Sequence, residues 1–265
     1  MTNYTTVLSI AGSDSIGGAG IQADIKTIEA LGCYAMTVIT AVTAQNTRGV
    51  KRFEAVSPEL LEEQLAAVFD DVVPDGVKVG MLPNASSIEI VGKFLSSRNA
   101  KNVVVDPVMV ATSGDRLTSN ETGDALKKFL FPVATVVTPN LSELKILTEN
   151  SDIAGLLEIC PGLLVKGGHG PGDELTDTLY IGPDKKRQFG HKKIVTDNTH
   201  GTGCTLSSAI ASFLALGFDL EMAVERGIDW LQIAIEKGSR YKLGEGHGPV
   251  EHNFSREITI DGYKI

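Results

Sequence analysis

Positive charge is in short supply in this chain. Its 265 residues carry 24 lysines and arginines against 33 aspartates and glutamates, a formal net charge of −9. A protein whose main partner is nucleic acid or an anionic membrane carries the opposite balance. An anionic small substrate stays open, because local backbone donors can outweigh a global charge. Cysteine is scarce as well. Cys33, Cys160 and Cys204 are an odd number without metal-ligand spacing, so neither a disulfide framework nor a zinc site is expected. Long apolar runs are missing, and none approaches the roughly 20 residues of a membrane span. The opening MTNYTTVLSIAGSD has no basic segment and only a short apolar run, unlike a secretory signal. The expectation is a soluble, cytoplasmic protein.

What is present is ordinary globular material, 42% hydrophobic and 22% charged. Strand-like and helix-like segments alternate. Strands are predicted at 6–10, 34–44, 76–79, 102–105, 133–137 and 162–165, several of them apolar throughout, as in a sheet covered on both faces. Helices are predicted at 20–31, from Ser57-Pro58 onward, and at 86–95, 121–130 and 142–147. After Lys166 the rhythm changes to a hairpin or two edge strands, 176–181 and 187–193, then helices at 201–216 and 220–241. No repeat or linker interrupts the chain. The pattern predicts one α/β domain over 1–265, a three-layer α/β/α sandwich around a mainly parallel sheet. Edge strands near Tyr180 or Arg187 offer a way for two subunits to pair.

In such a sheet ligands bind beyond the carboxyl ends of the strands, and the informative segments follow strand candidates. AGSDSIGGAGIQAD fails the P-loop pattern, because Gly18 stands where the lysine belongs. It fails the dinucleotide fingerprint too, because no acid ends the next strand. It reads either as a simple glycine-rich turn or as a backbone-lined pocket floor with Asp24 facing a small polar ligand. Gln45 and Asn46 end an apolar strand, and a primary amide offers donor and acceptor side by side, which suits an aminopyrimidine edge. A solvated turn is the alternative. Asp106 ends the strand NVVV, and the loop VATSGDRL beyond it reads as a lid. Asn140 and Glu143 stand three apart, either as a capping box or, with Asp106, as hard ligands for Mg²⁺ through water. Lys166 at a strand end reads as a phosphate contact.

The sharpest segment is NTHGTGCTLSSAIA. Gly201, Thr202, Gly203 and Cys204 open a helix and can aim successive N–H groups into one anion hole. Cys204 is either a packing residue or a reactive thiol. A helix dipole alone lowers a thiol pKa by less than one unit from about 8.5. That predicts a partly ionised thiol near neutrality, matched to general-base work.

These segments together (AGSDSIGGAGIQADIKT, TAQNT, KVGML, DPVMV, SGD, TPNLSE, VKGGH, THGTGCTLSSAIA and GHGPV) run from residue 11 to 250 and resemble the ribokinase-like superfamily. More closely they resemble the hydroxymethylpyrimidine/phosphomethylpyrimidine kinases of thiamine biosynthesis, with bacterial pyridoxal kinases as near relatives. The resemblance implies ATP- and Mg²⁺-dependent phosphoryl transfer to an aminopyrimidine alcohol and then to its phosphate. It implies Cys204 as the base and the N–H groups of Gly201 to Cys204 as the charge stabiliser. Asp24 and Gln45 would hold the pyrimidine, with Gly12 and Met81 lining its pocket. Asp106 and Glu143 would take the metal, with Asn140, Lys166 and Thr199 on the ATP side. Two departures stand out: Thr112 replaces a lid lysine common in relatives, and the stretch from 148 to 163 is short. The absence of a lid cysteine at 111–113 favours pyrimidine over pyridoxal, with pyridoxal kinase and a catalytically silent pyrimidine-binding module as alternatives.

Overall fold

Short aliphatic and β-branched runs, each closed by glycine or a polar turn, build the strands. The computed structural model describes residues 4–109, 121–148, 153–168 and 172–254, with the backbone of 259–260 and 263–264. The lid segment, Thr112 included, lies outside the described residues. Nine strands form one sheet: β1 Thr6–Ser13, β2 Tyr34–Asn46, β3 Gly49–Ala55, β4 Gly76–Val79, β5 Val103–Val105, β6 Val136–Val137, β7 Gly162–Val165, β8 Glu174–Ile181 and β9 Lys185–Lys192. Their order is β3-β2-β1-β4-β5-β6-β7-β8-β9. The pairs from β2 to β7 are parallel, and the outer pairs β2/β3, β7/β8 and β8/β9 are antiparallel. A separate small pair joins Thr259–Ile260 to Tyr263–Lys264.

The helices are α1 Gly20–Ala30, α2 Pro58–Phe69, α3 Ala85–Ser97, α4 Glu121–Ala125, α5 Leu141–Leu147, α6 Ile153–Leu157, α7 Thr202–Ala215 and α8 Leu220–Gly238. Local sequence sets several of their starts. Ser57 accepts from the Leu60 N–H with proline at the first helical position, and Asn84 and Asp219 cap α3 and α8 in the same way. None of the described helices is long and apolar enough to cross a membrane.

Alternation along the strands divides the core into two layers. Leu8 and Ile10, Val77 and Val79, Val103 and Val105, and Leu163 and Val165 pack on one face against α2, α3 and α5. Val7, Val104, Val136 and Leu164 pack on the other, against α7 and α8. Each fully buried leucine or valine contributes roughly 1.5–3 kcal/mol from burial. Two positions break this apolar pattern: Ser9 and Lys78 stand between apolar neighbours, on the α1/α7 side, and both are fully buried.

Four expectations need correction. β3 is an extra strand, paired antiparallel with β2, and its charged Lys51, Arg52 and Glu54 masked its extended character. The strand expected at 133–137 starts only at Val136, because Phe131-Pro132-Val133 forms a 3-10 turn. The helix expected at 121–130 is α-helical only to Ala125 and continues as a π-turn over Leu126–Leu130. Tyr180 is not on an edge: β8 is paired on both sides, and the edges are β3 and β9, the latter carrying Arg187.

Candidate active site

The strand order runs outward in one direction from β1 to β2 and in the other from β4 to β7, so the crevice between β1 and β4 is the topological switch point. The segments singled out in the sequence converge there. Asp14, just past β1, folds its loop around itself. Its carboxylate accepts from the N–H groups of Ile16 (3.1 Å), Gly18 (2.9 Å) and Ala19 (2.8 Å), and faces His200 Nε2 at 2.9 Å. Burial opposes its ionisation, but His200 and the backbone donors outweigh burial and hold the carboxyl below its usual range.

This loop and the start of α7 then pack backbone to backbone. Gly20 and Gly201 both have positive φ, at +54° and +82°. A side chain at Gly20 would collide with the Gly12 carbonyl of its own loop, and one at Gly201 with the Gly18 carbonyl across the contact. The contact brings two helix N-termini together, and the Gly20 N–H points at the Cys204 sulfur. At the mouth of α7 the Thr199 carbonyl accepts from the Thr202 N–H and hydroxyl, and Thr205 N–H bonds Gly201. The N–H groups of Gly203 and Cys204 have no protein acceptor among the described residues. Two of the four N–H groups expected to form an anion hole, those of Gly203 and Cys204, are thus left at the positive end of a 14-residue helix, while that of Thr202 is spent on Thr199.

The thiol itself is not as expected. Burial pushes Cys204 up to about 11; Lys78 pulls it down, but Asp24 and Asp106 push it further up. Cys204 is therefore a thiol at neutral pH in the ligand-free protein, because burial and two carboxylates overcome the helix dipole and one lysine.

Asp24 also departs from expectation. It is completely buried, and no oxygen is left for a ligand: Oδ1 takes Lys78 Nζ (2.9 Å) and Ser208 Oγ (2.8 Å), while Oδ2 takes Lys78 Nζ (2.7 Å) and Ser9 Oγ (2.5 Å). It lies inside the core, enclosed by its partners on β1, β4 and α7, and does not face a ligand as expected. Lys78 was given no role in the sequence reading. Its signal was there: a lone lysine in the apolar strand GVKV demands a buried anion. His200, which ties the Asp14 loop to the α7 mouth, was missed for a simpler reason, since its partner is 186 residues away.

Asp106, Lys166, Asn140 and Glu143 do come together. Lys166 Nζ bonds Asp106 Oδ1 at 2.8 Å, and Thr138 Oγ1 donates to the same oxygen at 3.2 Å. The other oxygen, Oδ2, lies 3.2 Å from where a side chain at Gly203 would begin, so it looks toward the α7 mouth. Burial disfavours the Lys166 ammonium, but Asp106 and Glu143 outweigh it and raise its pKa. Asn140 and Glu143 form a full capping box: Asn140 Oδ1 accepts from the N–H groups of Ser142 and Glu143, and Glu143 Oε2 from that of Asn140. The Asn140 oxygen is thereby committed to the helix. Burial pushes Glu143 up to about 7, with Lys166 opposing and Asp106 adding to the shift. Among the described residues no group of three or more His, Cys, Asp or Glu is placed to hold a metal. Two hard carboxylates with a lysine between them suit Mg²⁺ held through water and phosphate, not a protein-built cage.

Gly12 and Met81, both expected to line the pyrimidine pocket, lie side by side: a side chain at Gly12 would begin 3.1 Å from the Met81 sulfur. Met81 packs with Ala41, Val50, Phe53 and Val108 into a small apolar patch. Gln45 is half-buried at its rim, its amide 3.4 Å from His200 Nε2 and 3.3 Å from Thr43 Oγ1. Asn46 instead bonds the Arg48 N–H and closes a local turn.

Comparison with known proteins fits this arrangement. The family described as phosphomethylpyrimidine kinase matches residues 14–251. The hydroxymethylpyrimidine/phosphomethylpyrimidine kinase of Rhizobium meliloti is 47% identical over 256 residues, covering 92% of this chain and 96% of the relative. Among solved structures, an ADP complex of Bacillus subtilis pyridoxal kinase superposes with a TM-score of 0.85 at 32% identity, covering 94% of this chain and 98% of the other. The phosphomethylpyrimidine kinase of Clostridium difficile superposes with a TM-score of 0.75 at 39% identity, covering 87% and 99%. The switch-point crevice, the amide-lined helix mouth and these matches agree: the chain has the ribokinase-like fold and belongs to the phosphomethylpyrimidine kinase family.

Proposed function

We propose that this chain is an ATP-dependent kinase of 4-amino-5-hydroxymethyl-2-methylpyrimidine and of its monophosphate, acting as one catalytic unit in the cytoplasm and supplying the diphosphate for thiamine biosynthesis. The observation that carries the reading is the convergence at one crevice of the free N–H groups of Gly203 and Cys204, the Lys166–Asp106 pair and the apolar Gly12–Met81 wall. A phosphoryl group in flight needs charge stabilisation and alignment more than covalent help. The backbone donors at the α7 mouth supply the first without a cationic side chain, which is how an acidic protein handles a nucleotide.

The pyrimidine alcohol lies against Met81 with its amino edge toward Gln45 and its hydroxymethyl group toward Cys204. Lys166 leaves Asp106 for the phosphates of ATP, with Asn140 and Thr199 bordering them. Bound Mg²⁺, held by Asp106 and Glu143 through water, would neutralise charge on the transferring group. Asp106 is one of the influences that keep Cys204 protonated, so a cation held there would weaken that influence. Cys204 acts as the thiolate, its own proton having first gone to solvent; the sulfur then takes the substrate hydroxyl proton and is left as the thiol, and its high starting pKa predicts a kcat that keeps rising above pH 8. A plateau by pH 7 would take Cys204 out of the base role.

Pyridoxal is the second reading, because pyridoxal kinases superpose with TM-scores of 0.84 to 0.86. Sequence identity runs the other way, 47% to a pyrimidine kinase against 32% to the Bacillus subtilis pyridoxal kinase. ADP release measured with the pyrimidine alcohol, its phosphate and pyridoxal decides between them. Turnover on pyridoxal alone would refute the pyrimidine assignment, and tight pyrimidine binding without ADP release would mark a silent module. In the same assay Cys204→Ala is expected to keep ATP binding while kcat falls about 10²-fold or more.

A further inference from the structure

Taking two charges out of water costs more than packing apolar groups of the same volume, so a sealed ion pair calls for a use. Lys78 and Asp24 are both fully buried. Their cluster joins four elements at one carboxylate: Asp24 in α1, Lys78 in β4, Ser9 in β1 and Ser208 in α7. Ser208 stands four residues after Cys204, one helical turn along the same face. Charged groups reach Cys204 from several packed elements: Lys78 from β4, Asp24 from α1, Asp106 beyond β5 and Lys166 beyond β7. Glu143 from α5 faces Lys166 behind them.

We propose that the Lys78–Asp24 pair is the positioning device for Cys204: Asp24 anchors the first turns of α7 through Ser208, and its charge partly masks an ammonium set behind the thiol. The inference rests on the kinase reading, in which Cys204 meets the substrate hydroxyl. The two members act on the thiol in opposite senses, Lys78 favouring the thiolate and Asp24 opposing it. A pair too far from the sulfur to act on its charge gives no such opposition, and losing either member would then reach the thiol only through packing.

Alkylation of the ligand-free protein by iodoacetamide, followed against pH and assigned by mass spectrometry, reads this directly. Cys33 and Cys160 are buried, at 0% and 2% exposure, and serve as internal silent thiols. The midpoint of Cys204 alkylation is expected to move down in Asp24→Asn and up in Lys78→Met. With a shift of one unit each, the rates at pH 8 differ from wild type by about 10-fold in opposite directions. Ser208→Ala, which removes only the link to α7, is expected to leave the midpoint in place. It should lower kcat about 10-fold with the pyrimidine KM within about 2-fold. Midpoints that move in the same direction, or not at all, overturn the proposal. If a single charge removal does not fold, the neutral double variant Asp24→Asn/Lys78→Met replaces it. It is expected to fold and to lose about 10-fold or more in kcat at little-changed KM, and wild-type kcat would overturn the proposal. Alkylation needs no turnover, so failure of the kinase reading would appear separately, as absent ADP release with the midpoints still opposed.

Discussion

Two lysine–carboxylate pairs flank the mouth of α7, and they differ in how completely they are closed. Lys78–Asp24 has side chains at 0% exposure, whereas Lys166 is 15% exposed beside Asp106 at 3%. Contact distance does not separate them, at 2.7 and 2.8 Å. Hydrogen-bond saturation does. Asp24 spends both oxygens on Lys78, Ser9 and Ser208; Asp106 holds Lys166 and Thr138 on one oxygen and turns the other toward Gly203. A saturated pair cannot exchange partners without leaving a buried charge bare. A half-saturated pair at a crevice can release its lysine to a phosphate and take a cation on its carboxylate. The same chemistry is a fixture in one place and a working part in the other.

The strongest way to break the comparison is to remove one carboxylate from each pair. Asp24→Ala strands the Lys78 ammonium in the core and removes the acceptor of two buried serines, so a loss of about 3–5 kcal/mol is expected in guanidinium unfolding. Asp106→Ala leaves Lys166 within reach of water, so stability should fall by no more than about 1–2 kcal/mol while ADP release drops about 10²–10³-fold. Equal destabilisation by the two would show that both pairs are structural. A smaller effect sharpens the point. Asp24→Leu/Lys78→Met replaces the sealed pair by apolar volume and is expected to recover the fold to within about 1–2 kcal/mol of wild type, as buried ion pairs elsewhere allow. Activity should not recover with it.

Legibility of the sequence follows the same division. β4 and β7 could be read residue for residue, because GVKV and GLLV are bounded by glycine and polar turns. Ser57-Pro58 announced α2 through its own cap. Asp106, Asn140, Glu143 and Lys166 were found because each ends or follows a strand, where a parallel sheet places its ligands. What escaped was what depends on a distant partner. Asp24 looked like a ligand contact because its lysine lies 54 residues on and its serine 184. The state of Cys204 was misjudged because the helix dipole is written in the local sequence, while burial and the fields of Asp24 and Asp106 are not. β3 was hidden by charges that an edge strand tolerates.

The smallest expected effect lies in the pH dependence of stability, where the open pair has an opponent. Glu143, beside Lys166, has its pKa raised to about 7 from 4.5. The folded state therefore holds a proton that the unfolded chain releases, so this contribution is complete below pH 4.5 and is lost as pH rises through 7. His252, buried against the Thr205 hydroxyl at 3.0 Å, has its pKa lowered by burial to about 4 from 6.5. Here the unfolded chain binds the extra proton, so the contribution is present above pH 6.5 and is lost as pH falls toward 4. Between pH 4.5 and 6.5 the two slopes oppose each other, each on the order of 1 kcal/mol per pH unit, and wild-type stability should be nearly flat. Glu143→Gln is expected to expose a rise with pH across that window, and His252→Gln a fall. A flat profile in His252→Gln across that window would mean that Glu143 is ionised in the folded protein, and that the crevice around Asp106 is as settled as the core around Asp24.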